Sequence, residues 1–160
     1  MEGILMITKA EYLDFFEKHI RRSKMEDINM EKIYEFGEML FNLALRPIIT
    51  IPYAGKLDEE VTYETEELTA LCPVTTIQDY YKIKIYFIPD KAVPELKSLK
   101  FYFLSFRDIP VSHENLFAKI YRDFVNVLSP KVLDMFLDCS IRGGIRTTIK
   151  YSHKNKMANQ

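Results

Sequence analysis

The stretch YKIKIYFI, at residues 81–88, constrains the fold more than any other part of the chain. Its apolar and polar residues alternate, with Ile83, Ile85 and Phe87 in one set and Lys82, Lys84 and Tyr86 in the other. A period of two residues places side chains on opposite faces of a strand. The stretch therefore predicts a strand of an antiparallel sheet that buries one face and exposes the other.

The segments after residue 60 predict an α+β domain in the order β-β-α-α-β-β. Residues 60–71 are typical of a strand that pairs with 81–88 as a hairpin. Pro94 suits the first position of a helix, and Ser112 can cap a second helix that ends before Pro130. The first of these helices should turn inward a stripe formed by Leu96, Leu99, Phe103 and Phe106.

A second hairpin follows, from strands at residues 131–139 and 145–151 joined by RGG at 142–144. The two hairpins predict a four-stranded antiparallel sheet with both helices on one face. Such a sheet has two free edges, which favours association with further copies of the chain.

The first 45 residues predict an N-terminal helical extension. Thr8 can cap one helix, and a second should run from about Met25 to Leu45, before Pro47. This pair could cap the domain or contact another subunit, or it could simply cover core. The domains expected are therefore the extension at 1–45, the main domain at 46–151, which opens with an extended connector or short edge strand, and a tail at 152–160.

Composition and motifs exclude several classes of protein. The net charge of −1 gives no overall attraction to nucleic acid or membrane, and no apolar run is long enough to span a bilayer. Two cysteines do not form a disulfide framework, so we expect free thiols in a cytoplasmic protein. The chain has no CxxC, HxH or HExxH spacing, no GxGxxG and no GxxxxGK[ST]. No metal site, Rossmann site or P-loop site is therefore predicted.

One loop carries the first candidate chemistry, since LCPVTTIQD holds Cys72 at its start and Asp79 at its end. A thiolate is a strong nucleophile, and a carboxyl group held beside it could donate a proton to the product of attack. The hairpin should bring the two ends of the loop together. A free cysteine is most often a small buried apolar residue, and an aspartate in such a loop most often caps a turn, so these roles stay open for Cys72 and Asp79. Cys139, at the end of an alternating strand, is expected in the core.

Three other segments could bind a charged, ring-bearing ligand. Residues 94–107 place Lys97, Lys100, Ser98 and an arginine around one helix, which suits phosphate or a solvated helix face. His113 and Glu114 start the next helix, where a glutamate is favoured by the helix dipole but could also accept hydrogen bonds from a purine-like ring. Arg142 and the glycine amides after it could bind phosphate or form a tight turn.

Taken in order, LCPVTTIQD, ELKSLKFYFLSFR, HE and RGG resemble the 7-cyano-7-deazaguanine reductases of queuosine biosynthesis, the QueF nitrile reductases. ELKSLKFY fits the family signature of Glu, Ser or Leu, Lys, Ser or Ala, an apolar residue and Lys, followed by aromatic residues. The resemblance covers roughly residues 60–150. It implies the tunnelling fold and a homo-oligomer, typically pentamers stacked into decamers, with active sites between subunits.

The resemblance also assigns roles to individual residues. It implies that Cys72 adds to the nitrile carbon to form a thioimide and that Asp79 donates a proton to the nitrogen. Two successive hydrides from the cofactor NADPH would then give the aminomethyl product. The implied substrate-binding residues are Glu95, Leu96, His113 and Glu114. The implied NADPH-binding residues are Lys97, Ser98, Lys100, Arg142 and Gly143.

The chain departs from the family pattern in two places. Most reductases have Thr-Gly-Gln-Pro-Asp where this chain has TTIQD at 75–79, and many have Phe where Ser112 stands. A related group, the QueF-like amidinotransferases of archaeosine synthesis, tolerates a divergent loop and acts on the same nitrile within tRNA. The signature ELKSLK and the RGG segment favour the reductase. A third alternative is a non-catalytic tunnelling-fold protein that binds a purine.

Overall fold

The structure, a computed structural model, describes residues 5–21 and 29–154. The helices are α1 (Lys9–Phe15), extended by a π-helical turn (Phe16–Ile20), α2 (Met30–Phe41), α3 (Leu96–Leu104) and α4 (His113–Leu128). The strands are β1 (Thr50–Pro52), β2 (Val61–Leu71), β3 (Gln78–Ile88), β4 (Ala92–Pro94), β5 (Val132–Cys139) and β6 (Thr148–Lys154). Within the described ranges, no helix is both long and apolar enough to cross a bilayer.

The main sheet confirms the predicted order of elements. Its strands lie in the order β2-β3-β5-β6, and every neighbouring pair is antiparallel. The alternation in β3 also has the predicted consequence, since Ile83, Ile85 and Phe87 are fully buried. These side chains pack in one core with Leu99 and Phe103 of α3 and with the buried face of α4.

Helix α4 begins where the sequence predicts, but α3 does not. Ser112 caps α4 by accepting a hydrogen bond from the Asn115 N–H. Pro94 is the last residue of β4, which pairs with β1 in a separate two-stranded sheet. The cap of α3 is instead Glu95, so the prediction that Pro94 occupies the first helical position is wrong. Leu96 follows at the start of the helix and is 61% exposed, so it does not belong to the inward stripe.

The last strand is displaced from its predicted position at 145–151. Arg142 and Ile145 exchange backbone hydrogen bonds of 3.0 and 2.8 Å around Gly143 and Gly144, which both have positive φ. This confirms the predicted tight turn, for which glycine is well suited. Because the turn is followed by a short loop, β6 begins at Thr148 and extends into residues 152–154, which the sequence placed in the tail.

The N-terminal extension contains two helices, as predicted. Thr8 and Glu11 form a capping box at the start of α1. Asn29 caps α2, and the predicted earlier start near residue 25 lies outside the described residues. The second helix ends at Phe41 rather than at residue 45, because Leu43 forms a bridge with Ile7.

Candidate active site

Cys72 lies directly after β2, in a tight loop between the two strands of the first hairpin. Its backbone N–H donates to the Ile77 carbonyl at 2.9 Å, and its carbonyl accepts from the Thr76 N–H at 2.8 Å. Thr76 has a φ of 58°, a left-handed conformation that β-branched residues rarely adopt. The loop is therefore folded back on itself, and the Cys72 side chain is buried.

The surroundings of Cys72 favour its thiolate form. Burial acts to raise the pKa of the Cys72 thiol, but hydrogen bonds from Thr75 and Val74 and the charge of Arg142 act to lower it. The net effect is a lowered pKa. The Thr75 N–H points at Sγ from 3.5 Å. A buried thiol that is nevertheless more acidic than usual has the electrostatic signature of a nucleophile.

Asp79 is the second residue of β3 and lies almost completely buried on the helix-covered face of the sheet. As predicted, the hairpin brings the ends of the loop together: Leu71 pairs with Gln78 and Ala70 with Asp79. Both Asp79 oxygens accept hydrogen bonds from Arg142, with Nε at 2.9 Å from Oδ1. This pairing raises the pKa of Arg142.

Arg142 is thus held beside the candidate catalytic groups. The resemblance assigned it to the cofactor, whereas in the structure its guanidinium is bonded to Asp79 and its charge acts on Cys72 and His113. The neighbouring Gly143 forms the turn that carries it and is exposed. One guanidinium therefore acts on the Cys72 thiol, the Asp79 carboxylate and the His113 ring.

His113 and Tyr81 form the other side of this cluster. The His113 Nδ1 lies 2.8 Å from the Tyr81 hydroxyl. Burial and the charge of Arg142 lower the pKa of His113, which favours the neutral ring. Glu114, the next residue, is exposed. Sequence reasoning missed Tyr81, although its position two residues after Asp79 on an alternating strand places both on the same face.

Cys139 pairs with Tyr81 across the sheet but has the opposite chemical character. Burial, followed by the negative charge of Glu114, raises the pKa of Cys139 to about 12. Its thiol therefore stays protonated at neutral pH, in agreement with the predicted core role.

The residues of α3 that the sequence singled out form a separate group. Both Glu95 oxygens accept backbone hydrogen bonds, from the N–H groups of Lys97 and Ser98, and these bonds lower the pKa of Glu95. Ser98 is buried, and its Oγ accepts from the Ile49 N–H at 2.9 Å. Among the described residues, no hydrogen bond or ion pair joins Glu95, Leu96, Lys97, Ser98 or Lys100 to the Cys72 cluster.

A cleft of 380 Å³ lies between α3 and the edge strand β2, with Leu96 and Lys100 on its rim. Lys97 and Lys100 are exposed, and Lys100 lies 3.8 Å from Glu67. Both ammonium groups are thus open to solvent. The Ser98 hydroxyl is instead bonded to the Ile49 N–H and to the Glu95 carbonyl.

The comparisons with known proteins agree on one protein family. The sequence model of a family described as QueF-like protein matches residues 78–158. The NADPH-dependent 7-cyano-7-deazaguanine reductase of Pelodictyon phaeoclathratiforme is 37% identical over 102 residues, which cover 62% of this chain and 88% of the relative. The enzymes of the same name from Chlorobium luteolum and Thermotoga maritima are 41% and 39% identical, covering 60% and 61% of this chain and 84% and 72% of the relative.

Among solved structures, the apo form of the archaeosine synthase QueF-Like superimposes with a TM-score of 0.56. The superposition covers 61% of this chain and 95% of the archaeosine synthase chain, and the two sequences are 20% identical. At this identity the likeness shows the fold alone. It confirms the tunnelling fold for the four-stranded sheet and its two helices.

Proposed function

The chain belongs to the QueF-like protein family, and from this we propose that it is an NADPH-dependent 7-cyano-7-deazaguanine reductase. It would reduce the nitrile to the aminomethyl group of 7-aminomethyl-7-deazaguanine, in the pathway that modifies tRNA with queuosine. The observation that carries the proposal is the Cys72 thiol of lowered pKa beside the Arg142–Asp79 pair. The relatives named as reductases support the same reaction.

In the covalent step we propose, the Cys72 thiolate attacks the nitrile carbon. Asp79 takes up the proton that the Cys72 thiol gives up as it becomes the thiolate. One bond of the C≡N group breaks as the S–C bond forms, and the nitrogen takes that proton from the Asp79 carboxyl group. The products are a thioimide on Cys72 and an ionised Asp79. Arg142 bonds both Asp79 oxygens in the structure, so its guanidinium would stabilise the carboxylate that is left once the proton has been given up.

The ring of the substrate would be held at the start of α4. An exposed carboxylate such as Glu114 can accept two hydrogen bonds from adjacent N–H groups of a deazaguanine. His113 is fixed by Tyr81 and favours its neutral form, so it can accept or donate one further hydrogen bond. These contacts would orient the nitrile toward the thiol.

Two molecules of NADPH, bound one after the other, would each supply one of the two hydrides that complete the reduction. Lys97 and Lys100 would hold the phosphate groups of NADPH, since both ammonium groups face solvent from one helix. Ser98 has a structural role in this proposal, and it anchors the start of α3 to the segment before β1.

We also propose that the active sites lie between subunits of a homo-oligomer. Among the described residues, β2 and β6 each pair with a strand on one side only. Pairing of β2 with β6 of another subunit would join two different edges head to tail, which leads to rings rather than to two-fold dimers. The α3 of one subunit could then reach the Cys72 cluster of its neighbour.

The loop at 75–78 is the observation that favours the second candidate, the amidinotransferase that acts on tRNA. However, Thr76 holds a left-handed conformation at the position where most reductases have glycine. The backbone conformation expected of that glycine is thus kept although the residue is different. This supports the reductase.

The test is the loss of NADPH absorbance when purified protein is mixed with free 7-cyano-7-deazaguanine. Oxidation of two NADPH molecules per nitrile is the expected result. A covalent adduct on Cys72 without NADPH oxidation would instead support the amidinotransferase, and tRNA with an ammonia donor would then be the substrate to try. Neither oxidation nor adduct would contradict both enzymes and favour a purine-binding protein.

A further inference from the structure

One hydroxyl group of the N-terminal extension reaches into the main domain. The Tyr12 Oη donates a hydrogen bond of 2.8 Å to the backbone carbonyl of Pro110, which lies 98 residues further along the chain. The Tyr12 side chain is only 1% exposed, and burial raises its pKa well above the ordinary value. The hydroxyl therefore remains a donor throughout the physiological pH range.

Pro110 belongs to the segment 109–111, which holds the end of β2 in place. The Leu71 N–H donates to the Ile109 carbonyl, and the Val111 N–H donates to the Leu71 carbonyl, both at 3.0 Å. Cys72 is the next residue after Leu71. The segment also leads directly into Ser112, the cap of the helix that begins with His113. A short backbone segment therefore positions both the candidate nucleophile and the candidate ring-binding residues.

The Tyr12 ring is itself held in place within the extension, at a cavity next to this region. It stacks on Phe36 with ring centroids 4.4 Å apart. With Pro73 and Val74, which follow Cys72, and with Ser112, it lines a cavity of 270 Å³. The extension is held to α4 by a further hydrogen bond of 3.3 Å, from the buried Lys119 Nζ to the Leu43 carbonyl. Tyr12 is thus fixed on the extension side by Phe36, and it shares this cavity with the loop that follows Cys72.

We propose that Tyr12 is a positioning residue for Cys72, acting through the segment 109–111. The inference rests on the proposed function for the role of Cys72 as nucleophile. It gives the extension, which lies outside the family match at 78–158, a part in the chemistry. Without the hydroxyl, the end of β2 is held less firmly. The Thr75 N–H is then no longer kept at its 3.5 Å distance from the Cys72 Sγ.

The test compares Tyr12→Phe with Tyr121→Phe. Tyr121 offers a matched control, because its buried hydroxyl also donates to a backbone carbonyl, that of Leu133, at 3.3 Å and away from Cys72. Alkylation of Cys72 by iodoacetamide is followed by mass spectrometry from pH 5 to pH 10. For Tyr12→Phe we expect the midpoint of the alkylation rate against pH to move to higher pH. The alkylation rate at neutral pH should fall roughly threefold or more, because less of the Cys72 thiol is ionised. Tyr121→Phe should match the unmodified protein.

Hydrogen exchange gives a second measurement that does not depend on the thiol. The amides of Leu71 and Val111 should exchange faster in Tyr12→Phe and not in Tyr121→Phe. The proposal is overturned if Tyr12→Phe leaves the alkylation profile and these amides unchanged, or if both variants change them equally.

The rate of adduct formation with 7-cyano-7-deazaguanine is measured in parallel. Absence of an adduct in the unmodified protein would contradict the proposed function, while alkylation and exchange would still decide the role of Tyr12.

Discussion

The Arg142–Asp79 pair allows one prediction to be worked out from the structure. The guanidinium bonds both carboxylate oxygens, and the side chains are 36% and 6% exposed. Hydrogen bonds to charged groups contribute about 1.5–3 kcal/mol each. Solvent at the half-buried guanidinium screens part of this free-energy contribution. We therefore expect a coupling free energy of about 2 kcal/mol between the two residues, which is below the sum of two such bonds.

A double-mutant cycle measures this coupling directly. The free energy of unfolding is obtained for Arg142→Ala, Asp79→Asn and the double variant by urea denaturation. Because the chain has no tryptophan, unfolding is followed by circular dichroism at constant protein concentration. Arg142→Ala alone should lose about 3 kcal/mol, since it leaves a buried carboxylate without its partner.

Arg146 and Asp138 offer a matched control for the cycle. They form the same two-bond arrangement, with Nε at 3.2 Å from Oδ1, but their side chains are 64% and 25% exposed. An exposed pair of this kind should couple by about 0.5 kcal/mol. Equal coupling in the two cycles, or coupling below about 0.5 kcal/mol for Arg142 and Asp79, would refute the argument that burial gives their pair its strength.

Four further results are expected. Cys72→Ala should abolish the mass increase on incubation with 7-cyano-7-deazaguanine, and an adduct that persists would remove Cys72 from the mechanism. Because burial raises the pKa of Cys139 while that of Cys72 is lowered, iodoacetamide at pH 7 should modify Cys72 alone, and modification of both at similar rates would contradict this difference. Lys97→Ala should raise the KM for NADPH more than the KM for the nitrile. The control Lys84→Ala, which also removes an exposed lysine, should change neither KM. A larger rise in the KM for the nitrile than for NADPH in Lys97→Ala would mean that the cofactor lies elsewhere. Thr76→Gly should raise the free energy of unfolding by about 1 kcal/mol, since glycine adopts a positive φ without strain, and a loss of stability would show that the Thr76 side chain is needed.

The sequence predicts the elements of this fold better than it predicts their contacts. The alternation of Ile83, Ile85 and Phe87 and the cap at Ser112 are local patterns, and both were confirmed. The start of α3 could not be placed, because Pro94 suits a first helical position as well as it suits the strand that pairs with β1. Local patterns leave such choices open, and pairing between distant segments decides them.

The same limit applies to the candidate site. Cys72, Asp79 and His113 were singled out from the sequence, and the structure brings them into one cluster around Arg142. The bond between Arg142 and Asp79 joins residues 63 positions apart, and it exists because the turn after β5 folds back toward β3. No spacing in the sequence reports such a contact.

The segment 109–111 has a consequence for how the enzyme would use its substrate. It joins the strand that ends before Cys72 to the helix that starts at His113, so contacts made by the ring can influence the position of the thiol. Binding energy from a part of the substrate that does not react can then contribute to the chemical step. A small nitrile without the deazaguanine ring would react slowly even at saturating concentration. Selectivity for the whole substrate would thus arise in the rate of attack as well as in affinity.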